Sequence, residues 1–168
     1  TAADQSGRLV KLGNLNGTIR EVRQHITGLS PEKLRRMSFA ASLEAQLQEL
    51  RAGREVKLEL LVDEDAAVAL SPAQTTEARQ ISRESMSNGL RHGSATRFTI
   101  RLHRSETEVG LMIRDNGSGF KEAPSAHRGH GLNNMQARAQ QVGAELRIDS
   151  EPGDGTRVVM TIPINSCP

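Results

Sequence analysis

The sequence contains no tryptophan and no tyrosine, and only three phenylalanines among its 168 residues. A base-stacking platform would therefore rest on three scattered rings, and there is neither a basic run interleaved with aromatics nor a zinc-ligand spacing to replace it. The 22 basic and 20 acidic side chains nearly cancel, for a formal net charge of +2. That balance gives no reason to expect a nucleic acid partner. The single cysteine, Cys167, stands beside the C-terminus, which rules out an internal disulfide and points to a reducing compartment and a cysteine-free catalytic centre. No apolar run approaches the roughly 20 residues of a membrane helix, and the opening TAADQSGRL has no apolar signal segment. The chain as given reads as soluble and cytoplasmic, without membrane contact. The missing initiator Met, with a periodic segment starting almost at once, suggests a piece of a longer protein.

With few aromatics, Leu, Ile and Val carry the hydrophobic pattern. In LGNLNGTIREVRQHITGL, Leu12, Leu15, Ile19, Val22, Ile26 and Leu29 recur at three- and four-residue steps, the stripe of a helix packed on another helix. Ser30 and Pro31 form a start signal for a second helix, PEKLRRMSFAASLEAQLQEL, with Leu34, Leu43, Leu47 and Leu50 on its buried face and an end near Gly53. From there VKLELLV reads as a strand, DEDAAVALSP as a loop, and Ser71 with Pro72 as the start of a helix ending at Gly93. TRFTIRLH and TEVGLMIRD form an antiparallel pair, GLNNMQARAQQV a helix, and AELRIDS with TRVVMTIPI a last hairpin around EPGDG. The expected fold class is α/β: a two-layer sandwich of mixed, mainly antiparallel sheet with helices on one face, preceded by a helical segment. The expected division is residues 1–52 for that segment and 54–168 for the sheet domain.

Polar residues remain that such a core does not need. Glu84 and Asn88 lie one helical turn apart, with Arg91 nearly in line. A carboxylate, an amide oxygen and a cation in that order can handle a hydrated metal ion and a phosphate, although the same face could be a solvated Glu to Arg network. In RGHGLNNM, Gly129 and Gly131 flank His130 at a helix start, where free N–H groups can hold phosphate oxygens, unless the glycines are only loop punctuation. The segment is neither a P-loop nor a dinucleotide fingerprint. In TEVGLMIRDNGSGF, the alternation of Val109, Leu111 and Ile113 points Asp115 toward the interior, where a carboxylate needs donors. Gly117 and Gly119 would let the chain turn around a flat ring. DNG is also a hairpin signal, but the polar KEAPSAHR that follows is no return strand. GDGT, residues 153–156, is a simple turn or a means of placing the Thr156 hydroxyl beside the same ring.

In their order and separation, ESMSNGLRH, DNGSGF, GHGL and GDGT resemble the N box, the two glycine boxes and the last turn of the gyrase, Hsp90, histidine kinase and MutL ATP-binding superfamily. RESMSNGLRHGSA with GLNNMQARAQQVGAELRIDSEPGDGTRVVMTIP is similar to sensor histidine kinases of the nitrate-sensor type, and LNGTIREVRQHITGL to their second dimerization helix. The resemblance implies a Bergerat-type ATP-binding fold after a remnant of the dimerization and histidine phosphotransfer region. It implies that Asn88 ligates Mg²⁺, that Glu84 acts on a water near the metal, and that Arg91, where Lys is more usual, contacts phosphate with His92 in support. Asp115 would accept from the adenine amine, Gly117 and Gly119 would shape the ring pocket, and Thr156 would assist through its hydroxyl or a water. Gly129, His130, Gly131 and Leu132 would form the hinge and phosphate contact of a mobile lid.

The implied activity of the full-length protein is transfer of the ATP γ-phosphate to a histidine on the dimerization helix of a homodimer, for relay to a response regulator aspartate. The first dimerization helix, with its His followed by an acidic residue, has no counterpart in this sequence. His25 reads as a helix-surface residue, His103 lies in a strand and His127 in the lid. Negligible autophosphorylation of this chain alone is therefore expected. Alternatives are an anti-sigma type serine kinase, an ATP-driven clamp of the gyrase, Hsp90 or MutL kind, and a nucleotide-binding adaptor without transferase activity.

Overall fold

The computed structural model describes residues 37–121 and 130–164. The stripe from Leu12 to Leu29, the start signal at Ser30 and Pro31, His25, His127 and Gly129 lie outside the described residues. The first described helix, α1 (Phe39–Arg51), begins at Ser38, whose hydroxyl accepts from the Ala41 N–H at 3.1 Å. Met37 and Ser38 are not helical, so the segment read from Pro31 as one helix is interrupted there. An N-cap hydroxyl satisfies an orphan helix donor more locally than a continued helix would, and Ser38 wins. Strand β1 (Lys57–Val62) follows. DEDAAVALSP, expected as a loop, folds into a short helix α2 (Glu64–Ala69) because the Asp63 carboxylate caps it, accepting from the Asp65 N–H at 3.0 Å.

Helix α3 (Pro72–Arg91) starts as its sequence predicts: Ser71 and Gln74 exchange side-chain to backbone hydrogen bonds in a capping box, with Pro72 in the first turn. Strands β2 (Arg97–Arg104) and β3 (Glu108–Asp115) form the expected antiparallel pair. Helix α4 (His130–Gln141) and strands β4 (Glu145–Glu151) and β5 (Gly155–Pro163) complete the order. The sheet runs β1-β2-β3-β5-β4. Only β1 with β2 is parallel, the crossover between them being α2 and α3, while the other three pairings are antiparallel.

Period-two alternation sends one side chain set into the core. Phe98, Ile100 and Leu102 of β2, Leu111 and Ile113 of β3, and Val158, Met160 and Ile162 of β5 are buried against Ile81, Met86 and Leu90 of α3 and Met135 and Ala139 of α4. The opposite parity carries the exposed Arg97, Arg101, Arg114 and Arg157. The helices thus cover one face of a mixed, mainly antiparallel sheet. Helix α1 shares this core through Phe39, Leu43 and Leu47 and packs on α3, and the compact unit that contains the sheet begins at Ser38. Across the helical layer, Arg83 of α3 pairs with Glu49 of α1 at 3.0 Å, and Arg138 of α4 with Glu77 of α3 at 2.8 Å. Among the described residues no helix is long and apolar enough to cross a membrane.

Candidate functional site

Three elements converge at one end of the helical layer. On α3, the interior hydroxyls turn inward and are satisfied: Ser82 donates to the Ala78 carbonyl at 2.9 Å and Ser85 to that of Ile81 at 2.8 Å. Small side chains at these positions let the helix lie close to its neighbours. The helix ends where the His92 N–H donates to the Asn88 carbonyl at 2.9 Å and the Ala95 N–H to the Gly89 carbonyl at 2.9 Å. Glu84 and Asn88 are half-buried on the face toward α4, whereas Arg91 and His92 are exposed in the last turn.

The second element is Asp115, at the end of β3. Its parity with Val109, Leu111 and Ile113 buries it to 7% exposure. The carboxylate accepts from the Gly117 N–H at 2.8 Å and from the Thr156 N–H. Burial pushes the Asp115 pKa above the ordinary carboxylate range, with those two backbone donors pulling the other way. The DNGSG segment is not a free hairpin turn. The Asn116 side-chain oxygen accepts from the N–H groups of Thr96 and Arg97 at 3.0 and 2.8 Å, Ser118 donates its N–H to Gly93 at 2.8 Å, and Gly153 donates to Ser118 at 2.7 Å. Gly119 adopts φ +60° against the backbone of Glu151, where a side chain has no room. The loop is therefore pinned to the end of α3, the start of β2 and the β4–β5 turn, with Asp115 fixed at its base.

The third element is the start of α4. Gly131 abuts α3 so closely that a Cβ there would lie 3.4 and 3.6 Å from the Asn88 amide nitrogen and oxygen, with the Glu84 carboxylate closer still. The carboxylate and the amide thus converge on the first turn of α4.

These elements enclose a cavity of about 400 Å³, large enough for a nucleotide-sized ligand. Of the residues expected from sequence, Asn88, His92, Asp115, Gly119, His130, Gly131, Leu132 and Thr156 line it. Glu84 stands beside it at Gly131, and Gly117 holds Asp115 rather than lining the wall. Arg91 does not line it, and Gly129 lies outside the described residues. Ser85, Gly89, Gly93, Ile113, Phe120, Met135 and Val158 also line the cavity and went unnoticed as site residues. Ile113 and Val158 were legible only as core alternation, because the same parity serves both. Gly89 had a signal in its helix-interior glycine: a Cβ there would lie 2.8 Å from the Phe98 ring and 3.3 Å from the Asp115 carboxyl carbon.

Chemically, the site has an apolar lining from Ile113, Leu132, Met135 and Val158, a buried acceptor at Asp115, and the Asn88 amide on the same wall with the Glu84 carboxylate beside it at Gly131. No cluster of three or more His, Cys, Asp or Glu suited to holding a metal occurs among the described residues. One carboxylate and one amide oxygen at a single point are nevertheless the sparse donor set that suits Mg²⁺ shared with ligand phosphates and water. The residues fit the ion as a partner of a bound polyphosphate and not as a resident of a protein cage.

Residues 73–166 match the family of histidine kinase-, DNA gyrase B-, and HSP90-like ATPases. Sensor protein VraS of Staphylococcus epidermidis is 40% identical over 86 residues, which cover 51% of this chain and 25% of that protein. VraS of Staphylococcus saprophyticus is 41% identical over the same length and coverage. The alignment thus spans about a quarter of these relatives. Among solved structures, the blue-light activated histidine kinase EL346 of Erythrobacter litoralis superposes with a TM-score of 0.64 at 19% identity, covering 89% of this chain and 49% of that one. The ATP-binding domain of PrrB from Mycobacterium tuberculosis does so with a TM-score of 0.56 at 22% identity, covering 77% and 96%. At these identities the structures speak for the fold.

Proposed function

The chain belongs to the family of histidine kinase-, DNA gyrase B-, and HSP90-like ATPases, and from that premise we propose that its cavity binds Mg²⁺-ATP as the catalytic site of a sensor histidine kinase. The observation that carries the proposal is Asp115, a buried acceptor in a cavity with apolar lining that Asn88 and the start of α4 also line, with Glu84 beside it at Gly131. Adenine supplies what that geometry lacks: a flat apolar ring and an exocyclic amine for the carboxylate. The triphosphate then extends toward Asn88, Glu84 and the start of α4.

In this reading Asn88 ligates Mg²⁺, which would neutralise charge on the phosphates, and Glu84 orients a water beside it. His130 and Gly131 bring backbone N–H groups to the phosphates, and His92 borders the same region from the end of α3. Arg91, exposed and outside the cavity wall, reaches phosphate only by extending its side chain, and its planar fork suits that contact differently from the more usual Lys. The γ-phosphoryl group passes to a histidine nitrogen brought nearly in line by the dimerization helix of the homodimer, and from there to the aspartate of a response regulator. Residues ahead of the compact unit are assigned to that dimerization region, and the site operates in the cytoplasm, where ATP is available.

Incubation of residues 1–168 with γ-labelled ATP tests the proposal. The chain alone incorporates negligible label, while a separate helix carrying His followed by Asp or Glu becomes labelled in trans with an acid-labile bond and passes it to a response regulator. Asn88→Ala abolishes that signal and leaves the melting temperature nearly unchanged. Acid-stable label on an added serine-containing partner would instead favour an anti-sigma type kinase, and nucleotide-driven dimer closure without transfer would favour an ATP-driven clamp. Nucleotide binding with neither outcome would leave an adaptor.

A further inference from the structure

Ser150, on the edge strand β4, has more hydrogen-bond partners than its hydroxyl has protons. Its Oγ accepts from the Phe120 N–H at 3.0 Å, donates to the Gly155 carbonyl at 2.9 Å, and lies 3.0 Å from the Thr156 Oγ1. A serine hydroxyl carries one proton and two lone pairs. With the proton committed to Gly155, the contact with Thr156 forms only if Thr156 is the donor. The Thr156 proton therefore points at Ser150 and its lone pairs are left for the cavity that Thr156 lines. Asp115, held by the Gly117 and Thr156 N–H groups, turns acceptor oxygens to the same corner.

We propose that Ser150 is a positioning residue that fixes the Thr156 hydroxyl as a hydrogen-bond acceptor toward the bound base, and so adds to a preference for 6-aminopurine over 6-oxopurine nucleotides. The inference rests on the proposal that this cavity binds adenine nucleotides. An exocyclic amine offers two N–H donors, one for the Asp115 carboxylate and one for Thr156, directly or through water. A 6-oxo group in its place sets a carbonyl oxygen against two acceptors and removes both amine donors in a partly buried corner. Without Ser150 the Thr156 hydroxyl is free to rotate and donate, which relieves the oxo base. The loss of the contact with the Phe120 N–H also loosens that backbone, but this acts on both nucleotides alike, so the affinity ratio isolates the relay.

The test is calorimetric titration of ADP and of inosine diphosphate into residues 1–168 and the variants Ser150→Ala, Ser150→Thr, Thr156→Val and the Ser150→Ala, Thr156→Val pair, each checked for folding by a cooperative far-ultraviolet melt. The wild type prefers ADP, Ser150→Ala narrows the ADP to inosine diphosphate ratio by about fivefold, and Ser150→Thr, which keeps the hydroxyl, restores it. In the Thr156→Val background Ser150→Ala has no further effect on the ratio. An unchanged ratio in folded Ser150→Ala, or equal narrowing with and without the Thr156 hydroxyl, overturns the relay while leaving adenine binding intact. Failure of the wild type to bind either nucleotide overturns the adenine reading and the relay with it.

Discussion

Gly131 stands against Glu84 so closely that a Cβ on the glycine would lie 2.6 Å from the Glu84 Oε1. The start of α4 lies directly against the Glu84 and Asn88 face of α3 at this glycine. Gly131→Ala must displace the tip of the flexible Glu84 side chain, which costs the fold little but moves its carboxylate. The expected result is a several-fold loss of ATP affinity in the presence of Mg²⁺ with a smaller loss in its absence, read by calorimetry with and without chelator. Equal losses in both conditions would detach Glu84 and Asn88 from the metal.

Helix α1 is predicted to be integral to the stability of the ATP-binding unit. Leu43 is fully buried in the common core, so Leu43→Ala removes packing that nothing nearby replaces and should cost about 2–5 kcal/mol in urea unfolding. A change below 1 kcal/mol, on the scale of a surface substitution, would mean that α1 is an appendage.

The pH dependence of nucleotide binding follows from Asp115. The amine of the base needs the ionised carboxylate as its acceptor, and burial raises the pKa of that group above 3.8. ADP affinity should therefore fall on acidification at a pH above the usual titration range of an Asp, near 4. For the unliganded protein the sign is opposite. The folded state holds the Asp115 proton more tightly than the unfolded chain, so the stabilisation from this group is present below the unfolded pKa and is lost as pH rises through the folded one. At neutral pH the empty site thus carries a buried charge as a stability cost, and nucleotide relieves it.

Sequence patterns with a single physical reading were legible. Ser71 and Pro72 marked the start of α3 because a capping hydroxyl followed by Pro suits a first helical turn, and the alternation of Val109, Leu111 and Ile113 placed Asp115 inward because a strand has a strict period of two. The family resemblance then joined Asn88, Asp115, Gly131 and Thr156, which are distant in sequence and meet at one cavity. What escaped depended on competition between local and tertiary terms. Asp63 caps a helix where loop composition was the stronger signal, and Ser38 starts a helix inside a segment whose apolar spacing runs on without a break. Ser150 left no trace, since a serine in a polar edge strand looks solvated until Phe120, Gly155 and Thr156 are brought to it.

The most direct measurement is calorimetric titration of ATP and ADP with Mg²⁺ into the wild type and Asp115→Asn. The account predicts one site per chain, with affinity reduced in the variant by about 2 kcal/mol or more because an amide presents a donor where the base amine needs an acceptor. It also predicts no loss of thermal stability in unliganded Asp115→Asn, since the substitution removes a desolvated charge and keeps an oxygen for the Gly117 N–H. Nucleotide affinity that is unchanged in a folded Asp115→Asn protein would contradict the assignment of this cavity to adenine.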